Sequence, residues 1–577
     1  MSRIFRRAAA IAGTAAVVCA AVVPAAQSAQ AADPVDVQLL SITDFHGYMQ
    51  VGNDQLTLPD GSKAKVGGAA YNAAHLKKLR EGRRNSILFS VGDNFSGWPF
   101  EVDAFRDEPT IEVLNKLGVQ FSTTGNHELD VSAGFLKKHM MKGKCFGKVD
   151  VDSCFTDSTG RRFHGANFPF YSANIVDAKT GRLILKPYNI EWVKGRNGRR
   201  IPVGFINLTV PDTPVGSTSY QPGLRSLPLV ETADRYAAEL KRKGVKAIVV
   251  NAHEGGQADG AGFNGCNIKS ASGPIIDFAK QASPDIDAIF TGHWHAGFNC
   301  TIPDPAGNPR PVIEGLNHGV LISEVGLKLD PRSGEVLRDK TTAVNHPTTR
   351  DIAPDPAVQK IADYWKARGD KRGAEVVAKQ DGAFTRTANA QGESTLGDLA
   401  ADAQYWEASQ NKRGKVDLSL IATKPVKGST ALARDLPADG ATTYQEAWTA
   451  YGYGNPILTV TVTGEQLHQA LEQQWQGGRF APFGVSRNVR YTYDASRPEG
   501  DRVDPKDVLI DGKPLDVNRK YRLAALAYTL IGADGYTAFN GFGQAYRNDL
   551  PDHEAFVAYL KARGSIAPAP ADRVTSR

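Results

Sequence analysis

The chain has few cysteines, five among 577 residues, and no two of them stand in a C-x-x-C arrangement, which leaves zinc binding by cysteine without its usual spacing. Beyond the amino terminus it has no apolar run of about 20 residues, the length a bilayer-spanning helix needs. A surplus of one charge is missing too: 68 Lys and Arg stand against 62 Asp and Glu, a formal +6. Such a balance implies no strong attraction to a nucleic-acid polymer. There is no internal repeat.

What is present is a soluble, globular composition, 41% hydrophobic and 23% charged, long enough to divide into two or three domains with separate cores. At the amino terminus, Arg3, Arg6 and Arg7 precede an Ala/Val-rich run and then "AQSAQAAD", where Ala29-Gln30-Ala31 offers a small-residue cleavage site. Residues 1–31 therefore read as an export signal, and Arg6-Arg7 admits a twin-arginine route as well as the general secretory one. The expectation is a secreted, extracellular protein with no membrane span after cleavage. Losing the segment removes three arginines and Cys19, and takes the formal charge to about +3. The four cysteines left, Cys145, Cys154, Cys266 and Cys300, are even in number, as a disulfide-bonded exported protein requires. Three pairings are open; proximity favours Cys145 with Cys154 and Cys266 with Cys300.

From residue 35 to about 340, the runs "VDVQLLSI", "NSILFSV", "GVQFST", "IPVGFINL", "VKAIVV" and "IDAIF" have strand length and β-branched content. Between them, "AAYNAAHLKKLREG" and "VETADRYAAELKRKG" place apolar residues at helical spacing and end in Gly. The alternation predicts an α/β domain over 32–345. A Pro-rich stretch and a charged amphipathic helix then form a linker over 346–380. A second mixed α/β domain is expected over 381–565, with a helix in "STLGDLAADAQYWEA" capped by Ser394 or Thr395 and a strand, Gly turn and helix in "ILTVTVTGEQLHQALEQQW". The tail 566–577 is expected to be disordered.

Five of the first domain's apolar runs end in residues suited to metal chemistry: "SITDFHG" (Asp44, His46), "SVGDNFSG" (Asp93), "TTGNHELD" (Asn126, His127), "VVNAHEGG" (His253) and "FTGHWHAG" (His293, His295). The carboxyl ends of strands in an open α/β sheet are where loops converge on a site. In an extended segment, residues i and i+2 face one side, so Asp44 with His46, and His293 with His295, are expected to share a pocket. Each motif alone is an ordinary loop. Together they collect five of the 12 histidines, and the mixture of imidazole, carboxylate and amide suits zinc, manganese or iron rather than calcium.

The order of these motifs, D-x-H, GD, GNHE, H and GHxH, resembles the calcineurin-like metallophosphoesterases, and with the second domain the chain resembles the secreted 5′-nucleotidase family, which includes UDP-sugar hydrolases and 2′,3′-cyclic nucleotide phosphodiesterases. The resemblance covers nearly the whole mature chain. It implies a four-layer α/β/β/α sandwich and two divalent metal ions, with Asp44, His46 and His295 on one, Asn126, His253 and His293 on the other, and Asp93 between them. It further implies that His127 assists at the phosphoryl group and that Asp130 holds it, while Glu128 carries no ligand role and is structural. Hydrolysis of a nucleotide or other phosphate ester follows by two-metal chemistry.

The resemblance also implies a second domain that stacks the base between two aromatic rings, matched here by Tyr453 in "YGYGNP" and Tyr528 in "YTLIGADGY", with Asp534 on the ribose hydroxyls. Two tyrosines can sandwich a base. Where the family has an N-x-GG-x-R turn, this chain reads "LIATKPVKGSTALARDLP", which leaves Lys424, Lys427 or Arg434 to supply the cationic contact.

Overall fold

The run Val35–Ile42 is buried at seven of its eight positions, which requires cover on both of its faces. In the computed structural model, which describes residues 33–577 except 97–98, 196–197, 215–219, 411–414, 429 and 453, a second sheet covers one face and helices cover the other. The strand runs parallel to Ser86–Ser90 and antiparallel to Leu321–Leu329 in a six-stranded sheet. A second six-stranded sheet is centred on the parallel strands Arg200–Thr209, Ala247–His253 and Ala288–Thr291.

Between the sheets, Val37, Leu39, Phe89 and Phe121 meet Phe205, Val249 and Phe290 in one apolar layer. The rings of Phe89 and Phe290 meet edge to face at 5.0 Å, a geometry that adds to simple burial. The outer face of the first sheet is covered by the helices Ala69–Arg80, Glu108–Leu117 and Pro356–Gly373. The second is covered by Leu229–Arg242 and Pro274–Gln281. Helix Leu229–Arg242 turns Thr232, Ala233, Tyr236, Ala237 and Leu240 inward, the three- and four-residue spacing of one face. The layers run helix, sheet, sheet, helix, as the resemblance implied.

In the carboxyl-terminal half, a five-stranded sheet in the order Phe483–Val485, Leu418–Ala422, Lys520–Leu526, Pro456–Thr463, Ala545–Pro551 is backed by helix Thr395–Gln410. Ser394 Oγ accepts the Gly397 N–H at 3.2 Å at that helix's start. Gly464, read as a turn, instead enters the next helix directly, because Thr463 and Gln466 form a capping box around its first residues. Helix Pro356–Gly373 joins the halves, its fully buried Trp365 packing beside Phe105 at 5.1 Å. From Pro34 to Arg577 the chain is one compact unit.

The closing residues depart from expectation: rather than being disordered, Val574–Ser576 pairs in parallel with Val489–Tyr493. Arg573 anchors it, with both terminal nitrogens 3.0 Å from the two carboxylate oxygens of Asp402. The Ala/Pro-rich stretch before it carries the signature of a tail, while Asp402, the partner of Arg573, lies 171 residues away in sequence. The disulfides join Cys145 to Cys154 and Cys266 to Cys300, the pairing that proximity favoured. The export signal, with Cys19, lies outside the described residues. Among the described residues, no helix is long and apolar enough to cross a membrane.

Candidate active site

The loops after Val35–Ile42 and Ser86–Ser90 stay zipped beyond the strands themselves: Asp44 N–H donates to Gly92 O at 3.0 Å and His46 N–H to Asp93 O at 3.1 Å. Asp44, His46, Asp93, His293 and His295 all have positive φ, between 47° and 79°, which non-glycine residues adopt only where surrounding structure enforces it. The expectation of extended i, i+2 pairs is thereby corrected. Asp44 and His46 reach one place because the chain turns left-handed around Phe45, which is buried in the core. Gly125 is required for contact rather than conformation: a Cβ there would overlap Asp93 Oδ1 and lie 2.6 Å from Asp93 N.

Two adjoining triads result. One ligand atom each from Asp44, His46 and His295 lie within 4.8 Å of one another, as do those from Asp93, His253 and His293. The triads share a border, since His253 Nε2 lies 2.9 Å from Asp93 Oδ2 and 3.9 Å from Asp44 Oδ1. Backbone carbonyls fix the imidazoles: His46 Nδ1 donates to Phe95 O at 2.9 Å and His253 Nδ1 to Val91 O at 3.0 Å, leaving the Nε2 lone pairs for a cation. Asn126 Oδ1 is buried without a hydrogen-bond partner, as expected of an oxygen reserved for a metal. The residues present therefore fit divalent ions.

His127 follows directly. Its N–H donates to Asp93 Oδ1 at 2.9 Å, and its Nδ1 lies 2.6 Å from Asp130 Oδ2 and 3.1 Å from Ser96 Oγ. Burial acts to lower its pKa, but the charges of Asp130 and Asp93 prevail and push it up to about 10. Cations held by the neighbouring carboxylates would draw that value back down. Glu128 has a clear duty. Its carboxylate accepts the N–H groups of Asp93 at 2.9 Å, Asn94 at 2.8 Å and Gly125 at 2.6 Å, and the Asn94 side-chain amide at 2.9 Å. It clamps the "GDN" loop to the "GNHE" loop. Burial, aided by the charge of Asp93, pushes its pKa up to about 7.

His127 and Ser96 open onto a cavity of about 990 Å³ whose opposite wall comes from the carboxyl-terminal half, including Trp448, Tyr528, Asp534 and Arg434. Asp534 is buried, its Oδ2 has no hydrogen-bond partner, and burial pushes its pKa up to about 6. Tyr453 lies outside the described residues. Of the three cations considered for the wall, Arg434 lines it; Lys424 and Lys427 are exposed and are not among the described lining residues.

Several residues here carry no sequence signal. Ser96 sits between His127 and Asp130, and Asn317 Nδ2 lies 3.0 Å from His295 Nδ1 and 3.2 Å from His318 Nε2. Ser96 lies inside the "SVGDNFSG" motif, whose pattern marks Asp93 and not the serine, and Asn317 belongs to a loop outside the five motifs. The short "LNHG" segment, with Leu316 and His318 at positive φ, resembles the ligand loops and is the one hint available.

Residues 37–297 match the family model of the calcineurin-like phosphoesterases, and residues 375–541 match that of the 5′-nucleotidase C-terminal domain. The chain is similar to cell wall protein Lmo0130 of Listeria monocytogenes, at 26% identity over 92% of this chain and 68% of that protein. It is similar to NAD 5′-nucleotidase of Haemophilus influenzae, at 23% identity over 93% of this chain and 92% of that one. Its fold is similar to the crystal structure of a 5′-nucleotidase precursor from Thermus thermophilus, with a TM-score of 0.54, 23% identity and coverage of 94% and 99% of the two chains.

Proposed function

From the premise that this chain belongs to the calcineurin-like phosphoesterases carrying a 5′-nucleotidase C-terminal domain, and is a hydrolase of that type, we propose that it is secreted and releases phosphate from nucleoside 5′-monophosphates or related nucleotides. The observation that carries the reading is the juxtaposition of two carboxylate–imidazole triads with the His127–Asp130 pair at the end of a cavity walled by Tyr528 and Asp534. Asp44, His46 and His295 would hold one divalent ion, and Asp93, His253, His293 and Asn126 the other, with Asp93 between them. Bound there, such ions supply Lewis-acid polarisation of a phosphoryl group and acidify water at neutral pH.

The chain's own groups do the rest. Protonated His127 faces the charge that grows on the phosphoryl and leaving oxygens and can hand its proton to a departing alkoxide, while Asp130 and Ser96 fix its tautomer and angle. Tyr528 offers a face to a base, and Asp534, with its unpartnered oxygen, an acceptor to sugar hydroxyls. Arg434 supplies a positive charge to the wall. Export is supported by the amino-terminal Arg/Ala pattern, by two disulfides and by a relative named as a cell wall protein.

The missing N-x-GG-x-R turn favours a second reading, hydrolysis of 2′,3′-cyclic nucleotides or UDP-sugars at the same centre. Hydrolysis of AMP, UDP-glucose, 2′,3′-cyclic AMP and p-nitrophenyl phosphate, followed by the products of each (adenosine and phosphate, UMP and glucose 1-phosphate, the adenosine monophosphate, p-nitrophenol and phosphate) with and without a chelator, separates the two. Chelator-sensitive turnover greatest on AMP is expected; preference for the cyclic or sugar nucleotide selects the second reading, and no chelator-sensitive hydrolysis of any of the four defeats both.

A further inference from the structure

We propose that Arg547 is a positioning residue for the His127–Asp130 pair, so that the carboxyl-terminal half completes the reaction centre of the other half; this rests on the phosphoesterase reading above. Arg547 lies on Ala545–Pro551, the edge strand of the five-stranded sheet, opposite Leu458. Its Nη2 donates to the backbone carbonyl of Asp130, 417 residues away in sequence. The residue so held is the one whose carboxylate bonds both His127 Nδ1 and Ser96 Oγ.

The reason such a contact matters lies in the turn that carries the pair. His127–Leu129 is a single 3-10 turn, a geometry with poor internal hydrogen bonds and with carbonyls left over at its end. Two of those carbonyls are met from elsewhere: Leu129 O accepts Gln221 Nε2 at 2.8 Å, and Asp130 O accepts Arg547. The next residue, Val131, is 55% exposed, so packing does little to hold the turn's exit. A guanidinium, planar and rigid, fixes an acceptor in direction as well as distance. Burial disfavours its charge, and the neighbouring Asp130 carboxylate acts in the opposite sense. The interaction ties the angle of the Asp130 carboxylate, and through it the His127 ring, to the seating of one half of the molecule on the other.

The test uses the full chain, metal-loaded, with p-nitrophenyl phosphate, whose leaving group has neither base nor ribose for the far wall to hold. Arg547→Ala is expected to lower kcat by at least about tenfold with KM changed by less than about twofold, the pattern of a misaligned group rather than a lost binding contact. Arg547→Lys should recover part of the loss. In a His127→Ala background, Arg547→Ala should cost little more, because the route through the imidazole is already gone. A kcat within twofold of wild type, a rise in KM alone, or full multiplication of the two losses would each overturn the proposal. Thermal unfolding of Arg547→Lys keeps a folding defect apart from misalignment. The 15N resonances of the His127 imidazole give a readout that needs no turnover: they should move in Arg547→Lys, and unchanged resonances would overturn the proposal even if the wild type hydrolysed none of the four substrates, which is the result that defeats the phosphoesterase reading instead.

Discussion

Unlike His46 and His253, whose Nδ1 atoms face backbone carbonyls, His127 turns its Nδ1 to the carboxylate of Asp130. A carbonyl fixes a tautomer; a carboxylate also stabilises the protonated ring. His127→Ala is therefore expected to reduce kcat by about 100-fold or more, the range of positioned acid–base catalysis, with two equivalents of metal still bound by elemental analysis. Retained turnover would remove the role, and lost metal would reassign His127 as a ligand. Glu128, one residue on, is expected to fail in a different way. Its removal leaves three backbone N–H groups and an amide without their acceptor in a buried place, and each orphaned donor costs about 1–3 kcal/mol. Glu128→Ala should lower unfolding stability by about 3 kcal/mol or more and weaken metal retention, measured by denaturant titration and chelator competition. An unchanged unfolding midpoint would show that water replaces the carboxylate without loss.

The strands were legible because their cause is local. Val35–Ile42 and Arg200–Thr209 declare themselves by runs of branched and aromatic residues, and the end of the first, like those of Ser86–Ser90, Ala247–His253 and Ala288–Thr291, marked where candidate ligands gather. The loops between were legible only as positions, not as shapes. Nothing in "TDFHG" says that Asp44 and His46 are both left-handed, since that conformation is imposed by the neighbouring "GDN" loop and by the burial of Phe45. Ser96, Asn317, Arg547 and Arg573 were silent for the same reason: each acts on a partner in another element, and a single sequence does not record the meeting. The glycines sit between these cases, visible as turn formers but not as contact points. Gly125→Ala makes that distinction measurable. Its Cβ would meet Asp93 N at 2.6 Å and overlap the Asp93 carboxylate, so the two loops must part although the helices and sheets are untouched. The expected outcome is a circular dichroism spectrum like that of the wild type with chelator-sensitive activity abolished. Activity within a few-fold of wild type would mean that the loops have more freedom than their packing allows.

At the scale of the whole molecule, the two halves are held together at the wall of the cavity by a charged cluster. Asp103 Oδ2 accepts Trp448 Nε1–H at 2.6 Å and lies 2.9 Å from His553 Nε2, while His553 Nδ1 lies 3.1 Å from Asp552 Oδ1. Arg106, close to Asp103 in sequence, pairs with Glu554. Burial opposes the charge on His553, but Asp103 and Asp552 overcome it and push its pKa up to about 10, from an ordinary 6.5. Burial likewise opposes the charge on Asp103, and His553, Trp448 and Arg106 outweigh it, so its pKa falls below the ordinary 3.8. The signs then fix the window. A raised histidine contributes in full below 6.5 and loses its contribution as pH climbs through about 10. A lowered aspartate contributes above 3.8 and loses it as pH falls through its depressed value. Docking of the halves should accordingly be firm at weakly acid pH and loosen as the pH rises from about 6.5 to about 10. Asp103→Asn replaces the first of the two carboxylates facing His553 by a neutral amide, leaves Asp552 as the second, and reduces that slope. Breaking a buried pair from one side costs about 3 kcal/mol, so calorimetry should show the variant less stable than the wild type at about pH 6 and the two converging near pH 10. Small-angle scattering over the same range reports whether the lost contact opens the cavity. Parallel stability curves across that range would place the docking energy in the apolar contacts of Phe100 with Tyr444 and Trp448 rather than in the charged cluster.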